Sequence, residues 1–267
     1  MRRRIAQWLT LVLSNAYLPG FWGGRIYKGG LKSLCVPGLN CYSCPGALGS
    51  CPLGSLQAVI GSYKYNVSFY VTGLLLAFGA VFGRLICGFL CPFGLLQELL
   101  HKIPFYKAKQ EWNKPKLLKY FLLAVFVLAM PVLVTDDFGM GAPAFCKYIC
   151  PAGTLTAGLP ILSATPSLRG SVGWLFALKA GIAVLTILGC LAVYRFFCKY
   201  LCPLGAFYGF FNGISFCRLR YDADKCTRCG ACSRICKMKV DPSKTPGSPE
   251  CIRCGDCVKA CRFSALS

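Results

Sequence analysis

The chain has 267 residues, 55% of them hydrophobic and 20 of them cysteine, with 30 Lys and Arg against 9 Asp and Glu for a formal charge of +21; its mean hydropathy is +0.55. A soluble domain carries less apolar residue than this, and a disulfide-stapled secreted scaffold is shorter and richer in loops. No basic helix or aromatic-interleaved polar surface stands apart from the apolar runs, which excludes a nucleic-acid binder and leaves a membrane protein with metal-bound thiolates.

In chain order, the first apolar segment runs from Ile5 to Trp22 behind MRRR and is weakened as a span by Gln7, Asn15 and Pro19. A signal peptide is the competing reading, but no small-x-small cleavage site is convincing. A second span, Asn66 to Gly83, precedes Arg84 and a loop carrying Lys102, Lys107, Lys109, Lys114, Lys116 and Lys119. So much positive charge between two spans places that loop in the cytoplasm. The third span, Leu117 to about Thr135, contains the kinking Pro131 and ends at Asp136 and Asp137 on the outer side. A short or re-entrant helix is expected between Pro151 and Arg169. The fourth span, about Trp174 to Phe197, returns the chain to the cytoplasm, with Lys179 snorkelling toward the outer headgroups. Hydrophobicity falls from about Phe216 onward.

The polar tail reads C-x2-C-x2-C-x3-C twice, at Cys226, Cys229, Cys232, Cys236 and at Cys251, Cys254, Cys257, Cys261. Three thiolates on a tight loop cap three irons of a cubane, and the fourth cysteine reaches the other cluster. Cys226, Cys229, Cys232 and Cys261 therefore form one [4Fe-4S] set, and Cys251, Cys254, Cys257 and Cys236 the other. Zinc is the alternative for paired C-x-x-C units, but two identical runs of four suit cubanes better. The proline that usually follows the fourth cysteine is replaced by Lys237 and Arg262.

Upstream, a Cys-Pro phrase occurs four times: CPLGSLQ at Cys51, CPFGLLQ at Cys91, CPAGTLT at Cys150 and CPLGAFY at Cys202. Cys87, Cys146 and Cys198 lie four residues before the last three; Cys44 precedes the first, with Cys35 and Cys41 further back. Proline suits the first turn of a helix, whose positive end favours an anion such as a thiolate-ligated cluster. Units two and four (Cys87, Cys91, Cys198, Cys202) are expected to face the cytoplasm and hold an inner cluster. Units one and three (Cys44, Cys51, Cys146, Cys150; Cys35 and Cys41 as further candidates) are expected to face outward and hold an outer cluster or form disulfides. Cys190 and Cys217 read as small apolar side chains. His101 is the only histidine and no C-x-x-C-H occurs, so no bis-His or c-type haem can form within the chain.

CGFLCP, CKYLCP and a two-cluster ferredoxin behind four expected spans resemble the membrane quinol-dehydrogenase subunit of periplasmic nitrate reductase systems. They also resemble the membrane part of the nitrous-oxide reductase regulator and related polyferredoxins, over roughly Phe69 to Ser267. The resemblance implies an electron carrier between cytoplasmic or quinone redox chemistry and an acceptor outside the membrane, often a flavoprotein or a cytochrome. The Cys35–Cys51 region and the third phrase at Cys146 depart from that pattern and argue for an extra outer redox site.

The expected fold is thus an α-helical inner-membrane protein of about four transmembrane helices in an inverted pseudo-repeat (residues 1–215), carrying a C-terminal two-cluster ferredoxin-like α+β domain (216–267) in the cytoplasm. The expected function is transmembrane electron transfer as part of an oxidoreductase system, with no bond-making chemistry of its own. Its partners are a cytoplasmic donor or quinone and an extracytoplasmic acceptor such as a flavoprotein. A quinol dehydrogenase subunit and a copper-handling accessory protein are the alternatives.

Overall fold

The computed structural model describes residues 2–62, 68–108, 114–137 and 139–267. Asn66 at the head of the expected second span and Lys109 of the basic loop lie outside them. The described residues are mostly helical, and their only β pairings are isolated bridges, Cys35 with Ser50, Thr135 with Gly141 and Tyr221 with Leu266. The strand part of the expected α+β tail is reduced to the last of these, where Arg220 and Ser267 exchange backbone hydrogen bonds at 2.7 and 3.1 Å.

Helix α1 (Arg2–Ser14) packs on α4 (Leu85–Phe89) and α5 (Pro92–Leu100). Gln7 makes that contact specific: it is fully buried and its Nε2 donates to the Gly88 carbonyl at 3.0 Å. Helices α2 (Pro52–Gly61) and α3 (Phe69–Phe82) pack together, and α2 also meets α6 (Pro115–Leu133). Then come α7 (Ala144–Tyr148), α8 (residues 151–164), α9 (Trp174–Ala192), α10 (Phe196–Tyr200) and α11 (Pro203–Phe210). The tail holds two five-residue helices, α12 (Ala231–Ile235) and α13 (Asp256–Ala260).

Among the described residues, two helices are long and apolar enough to cross a bilayer, α6 and α9. The expected four spans are not matched one for one. Helix α3 has 14 residues, about 21 Å at 1.5 Å per residue, against a hydrocarbon core of ~30 Å. Both α6 and α8 become π-helical just before a proline, over Leu123–Ala129 ahead of Pro131 and over Thr154–Gly158 ahead of Pro160. Proline lacks the N–H for the ordinary ladder and its ring crowds the carbonyl four residues back, so the ladder shifts by one residue. One apolar core joins α2 to α7 and α11 and takes in Met238, Val240 and Ile252 of the tail.

Candidate metal centres

The four Cys-Pro phrases share one local geometry. Cys51, Cys91, Cys150 and Cys202 are each extended (ψ 126, 112, 112 and 109°) and sit at the N-cap of a helix whose first residue is the proline. The glycine three residues on completes the motif: the Gly205 amide donates to Cys202 Sγ at 3.4 Å. Cys51, Cys91 and Cys150 hold the same N-cap position without a side-chain cap hydrogen bond. Cys-Pro-x-Gly therefore places a cysteine at the start of a helix and brings the thiolate and the positive helix end to one place, with sulfur closing the cap in unit four.

Cys87, Cys91, Cys198 and Cys202 all interact electrostatically with one another in the core. Two fully buried arginines brace them crosswise. Arg84, three residues before Cys87, donates to the Cys198 carbonyl at 3.1 Å, and Arg195, three residues before Cys198, donates to the Cys87 carbonyl at 2.6 Å. Each has a carboxylate: Arg195 meets Glu98 at 2.6 Å and Arg84 meets Glu250 at 3.0 Å. The sequence signal, R-x-x-C-x-x-x-C-P in units two and four only, carried no weight in the motif reading because the partners it reaches lie about a hundred residues away.

The second set is Cys41, Cys51, Cys146 and Cys150, which line one cavity of about 550 Å³ and interact pairwise throughout. Cys44 is not in it: that residue is buried on the far side of Cys41, in an apolar groove. The expected outer set thus gains Cys41 in place of Cys44. Spacing suggested the nearer cysteine, but the loop back from Cys51 turns Cys44 away. Cys35 lies instead beside Ser50, with Sγ 3.3 Å from its hydroxyl. No disulfide joins any of the twenty cysteines. Lys179 does not snorkel outward; it lines the same cavity and donates to the Cys146 carbonyl at 3.1 Å.

These two quartets are not at opposite faces of the molecule. The amide of Leu39 faces Cys91 and that of the next residue, Asn40, faces Cys51. Consecutive residues are 3.8 Å apart at most, so the quartets stand back to back across one strip of backbone. Tyr208, fully buried, interacts with Cys51 on one side and Cys87, Cys91 and Cys202 on the other, and its hydroxyl donates to the Pro37 carbonyl at 3.0 Å. Cys51, Cys91, Cys150 and Cys202 are all buried, so expectation and structure differ in depth.

In the tail, Cys226, Cys229, Cys232 and Cys261 line a cavity of about 470 Å³, and Cys236, Cys251, Cys254 and Cys257 line another of about 160 Å³. The two runs repeat in backbone conformation as well as in letters: Arg228 and Arg253 have φ of 53 and 52°, Gly230 and Gly255 of 69 and 79°, Lys239 and Ser264 of 52 and 50°. Left-handed residues turn successive amides inward into an anion-binding nest. Burial, and then the neighbouring Cys251, Cys254 and Cys236, push the Cys257 thiol up to about 12, so four thiolates hold together there only around compensating positive charge.

The second tail set is fastened to the membrane domain. Arg253 donates to the carbonyls of Phe82 (3.1 Å), Cys217 and Asn212, Asn212 Nδ2 donates to those of Ser248 and Cys251 at 2.7 Å, and Glu250 bridges Arg84 and Lys119. The first tail set lies at the free end, with Cys229 and Arg228 exposed. His101 packs edge-on against Tyr194 with Nδ1 3.1 Å from the Cys190 carbonyl.

Four cysteines gather in each set, the donor set of a cubane whose four irons take one thiolate each.

Comparison with known families decides the chemistry. A 4Fe-4S binding domain model matches residues 66–113, 120–163 and 172–219, and a 4Fe-4S dicluster domain model matches 218–262. The chain belongs to the 4Fe-4S binding domain family. It binds [4Fe-4S] clusters, and its relatives include ferredoxin-type proteins. The methylamine utilization ferredoxin-type protein MauN of Methylorubrum extorquens is 29% identical over 88% of this chain and 73% of its own length. An uncharacterised protein of Methanocaldococcus jannaschii is 30% identical over 60% of this chain and 61% of its own. Protein NirI of Paracoccus denitrificans is 29% identical over 57% of this chain and 21% of its own. The chain spans 61% and 57% of two archaeal relatives. No solved structure matches.

Proposed function

We propose that the chain is a membrane-bound electron conduit with four [4Fe-4S] sites in a row. When bound, such a cluster supplies one-electron transfer; the residues of this chain set the order of the sites. Cys226, Cys229, Cys232 and Cys261 form the entrance, ringed by Lys225, Arg228 and Lys244, which suits an acidic ferredoxin-like donor in the cytoplasm. Cys236, Cys251, Cys254 and Cys257 come next, clamped by Arg253 and Glu250 onto the membrane domain. Cys87, Cys91, Cys198 and Cys202 follow, and then Cys41, Cys51, Cys146 and Cys150, from which an extracytoplasmic acceptor such as a flavoprotein draws charge. Helices α6 and α9, with apolar side chains such as Phe121, Leu133, Val184 and Leu185 turned outward, hold the chain in the inner membrane, supported by the exposed apolar faces of α1 and α3. The reading rests on one observation above the rest: consecutive amides, of Leu39 and Asn40, face sulfurs of two different quartets.

A quinol-oxidising role has one observation in its favour, an apolar groove of about 310 Å³ lined by Phe93, Leu95, Leu99, Leu155, Asn15 and Cys41. A quinol analogue that bleaches the visible absorption of purified protein supports that role; a response to ferredoxin-type donors alone supports the simple conduit. Iron and labile sulfide in anaerobically purified protein test the conduit itself. Four sites give about sixteen irons per chain, whereas about eight leaves only the tail occupied and removes the membrane-domain sites.

A further inference from the structure

Two buried glutamines occupy the same place in the two membrane-domain quartets. Gln57 and Gln97 each stand six residues after a Cys-Pro cysteine, in CPLGSLQ and CPFGLLQ, and are 0% and 1% exposed. Gln97 Nε2 donates to Cys198 Sγ at 3.1 Å, and Gln57 Nε2 donates to Cys146 Sγ at 3.4 Å. In each case the glutamine comes from one unit and the sulfur from the partner unit.

The orientation of each amide is fixed by chemistry. Gln57 Oε1 accepts from the Phe145 amide at 2.9 Å, and Gln97 Oε1 accepts from the Cys198 amide at 3.3 Å and the Cys190 thiol at 3.7 Å. A backbone N–H can only donate, so the oxygen must face it and the NH₂ must face the sulfur. That NH₂ also donates to a carbonyl one turn back, Leu53 at 3.2 Å and Phe93 at 3.3 Å. The remaining N–H is buried and needs an acceptor, and a ligand thiolate is a strong one. Units three and four carry Thr156 and Tyr208 at the corresponding position. Thr156 Oγ1 donates to the Ala152 carbonyl and the Tyr208 hydroxyl to the Pro37 carbonyl, so each quartet receives one carboxamide.

We infer that Gln57 and Gln97 are positioning residues that raise the reduction potentials of the outer and inner membrane-domain sites respectively. A donor aimed at a ligand sulfur favours the state with the extra negative charge, and hydrogen bonds to sulfur are among the determinants of these potentials. The inference rests on the reading that both quartets hold [4Fe-4S] clusters. Its distinctive content is independence: each glutamine controls one site.

The test is a redox titration followed by electron paramagnetic resonance on the anaerobically purified full chain, with iron measured on the same samples. Gln97→Met fills a similar volume with neither donor nor charge. It is expected to make one site at least tenfold harder to reduce in equilibrium constant, about 59 mV for one electron, with the others unmoved. Gln57→Met is expected to do the same to a different site. Full iron with unshifted potentials overturns the glutamine assignment alone, while about eight irons per chain in the unmodified protein overturns the cluster reading and the assignment with it. A second measurement needs no variant: the chain has four glutamines, and side-chain ¹⁵N labelling of glutamine is expected to give a hyperfine coupling to the reduced membrane-domain sites. Its absence from both sites overturns the assignment.

Discussion

Cys41 and Cys44 differ by three positions and by their neighbours. Cys41 lines one cavity with Cys51, Cys146 and Cys150, while Cys44 lies in the neighbouring apolar groove. Cys41→Ser is expected to remove about four irons per chain and Cys44→Ser none, a comparison that a ferrozine assay resolves. Glu250 gives a second residue-scale expectation. Burial alone pushes its carboxyl up, but Arg84 and Lys119 outweigh burial and hold it below its ordinary 4.5. A lowered folded pKa means that the stabilisation is present above the unfolded value and is lost as pH falls through the folded one. Glu250→Gln is expected to cost ~3–5 kcal/mol at neutral pH, since it leaves buried cations unpaired, and to flatten the acid limb of the thermal stability profile. At this scale the sequence was legible wherever chemistry follows from spacing alone, as in the two tail runs. Arg84, Arg195, Gln57 and Gln97 were visible as repeated letters whose meaning depends on partners about 90 to 170 positions distant.

At the scale of elements, the Cys-Pro phrases start helices as proline at the first turn dictates, and the apolar segments became helices. Their lengths were less legible. An apolar run gives composition, whereas the α3 helix stops at Phe82 because Gly83 takes a φ of 53° before Arg84 turns into the core. The join between tail and membrane domain has a narrow tolerance at Gly88. A Cβ there meets the Ile252 carbonyl oxygen at 2.5 Å, a backbone atom that cannot swing aside. Gly88→Ala is therefore expected to loosen the tail by ~1–3 kcal/mol, seen as faster proteolytic release of a fragment near residue 216. Unchanged release places the join elsewhere. Unit four carries Lys199 at the position matching Gly88, and its Nζ donates to the Lys237 carbonyl at 3.5 Å, so the two copies meet the tail by different chemistry that the repeat gave no hint of.

For the molecule as a whole, the parity of the four units was legible: first with third and second with fourth share a cavity or a cluster of thiols, as alternation along a membrane chain suggests. Depth was not, because order along the chain says which units share a side and not how far each reaches inward. In the proposed conduit, the back-to-back arrangement through Leu39, Asn40 and Tyr208 joins the two sites into a relay. The measurement that tests this most directly is the magnetic interaction between the two membrane-domain clusters in fully reduced protein. Splitting or enhanced relaxation of the inner signal, abolished in a Cys150→Ala variant that lacks the outer cluster, is the expected result. Two independent, unsplit signals whose relaxation ignores that substitution contradict the adjacency and the relay built on it.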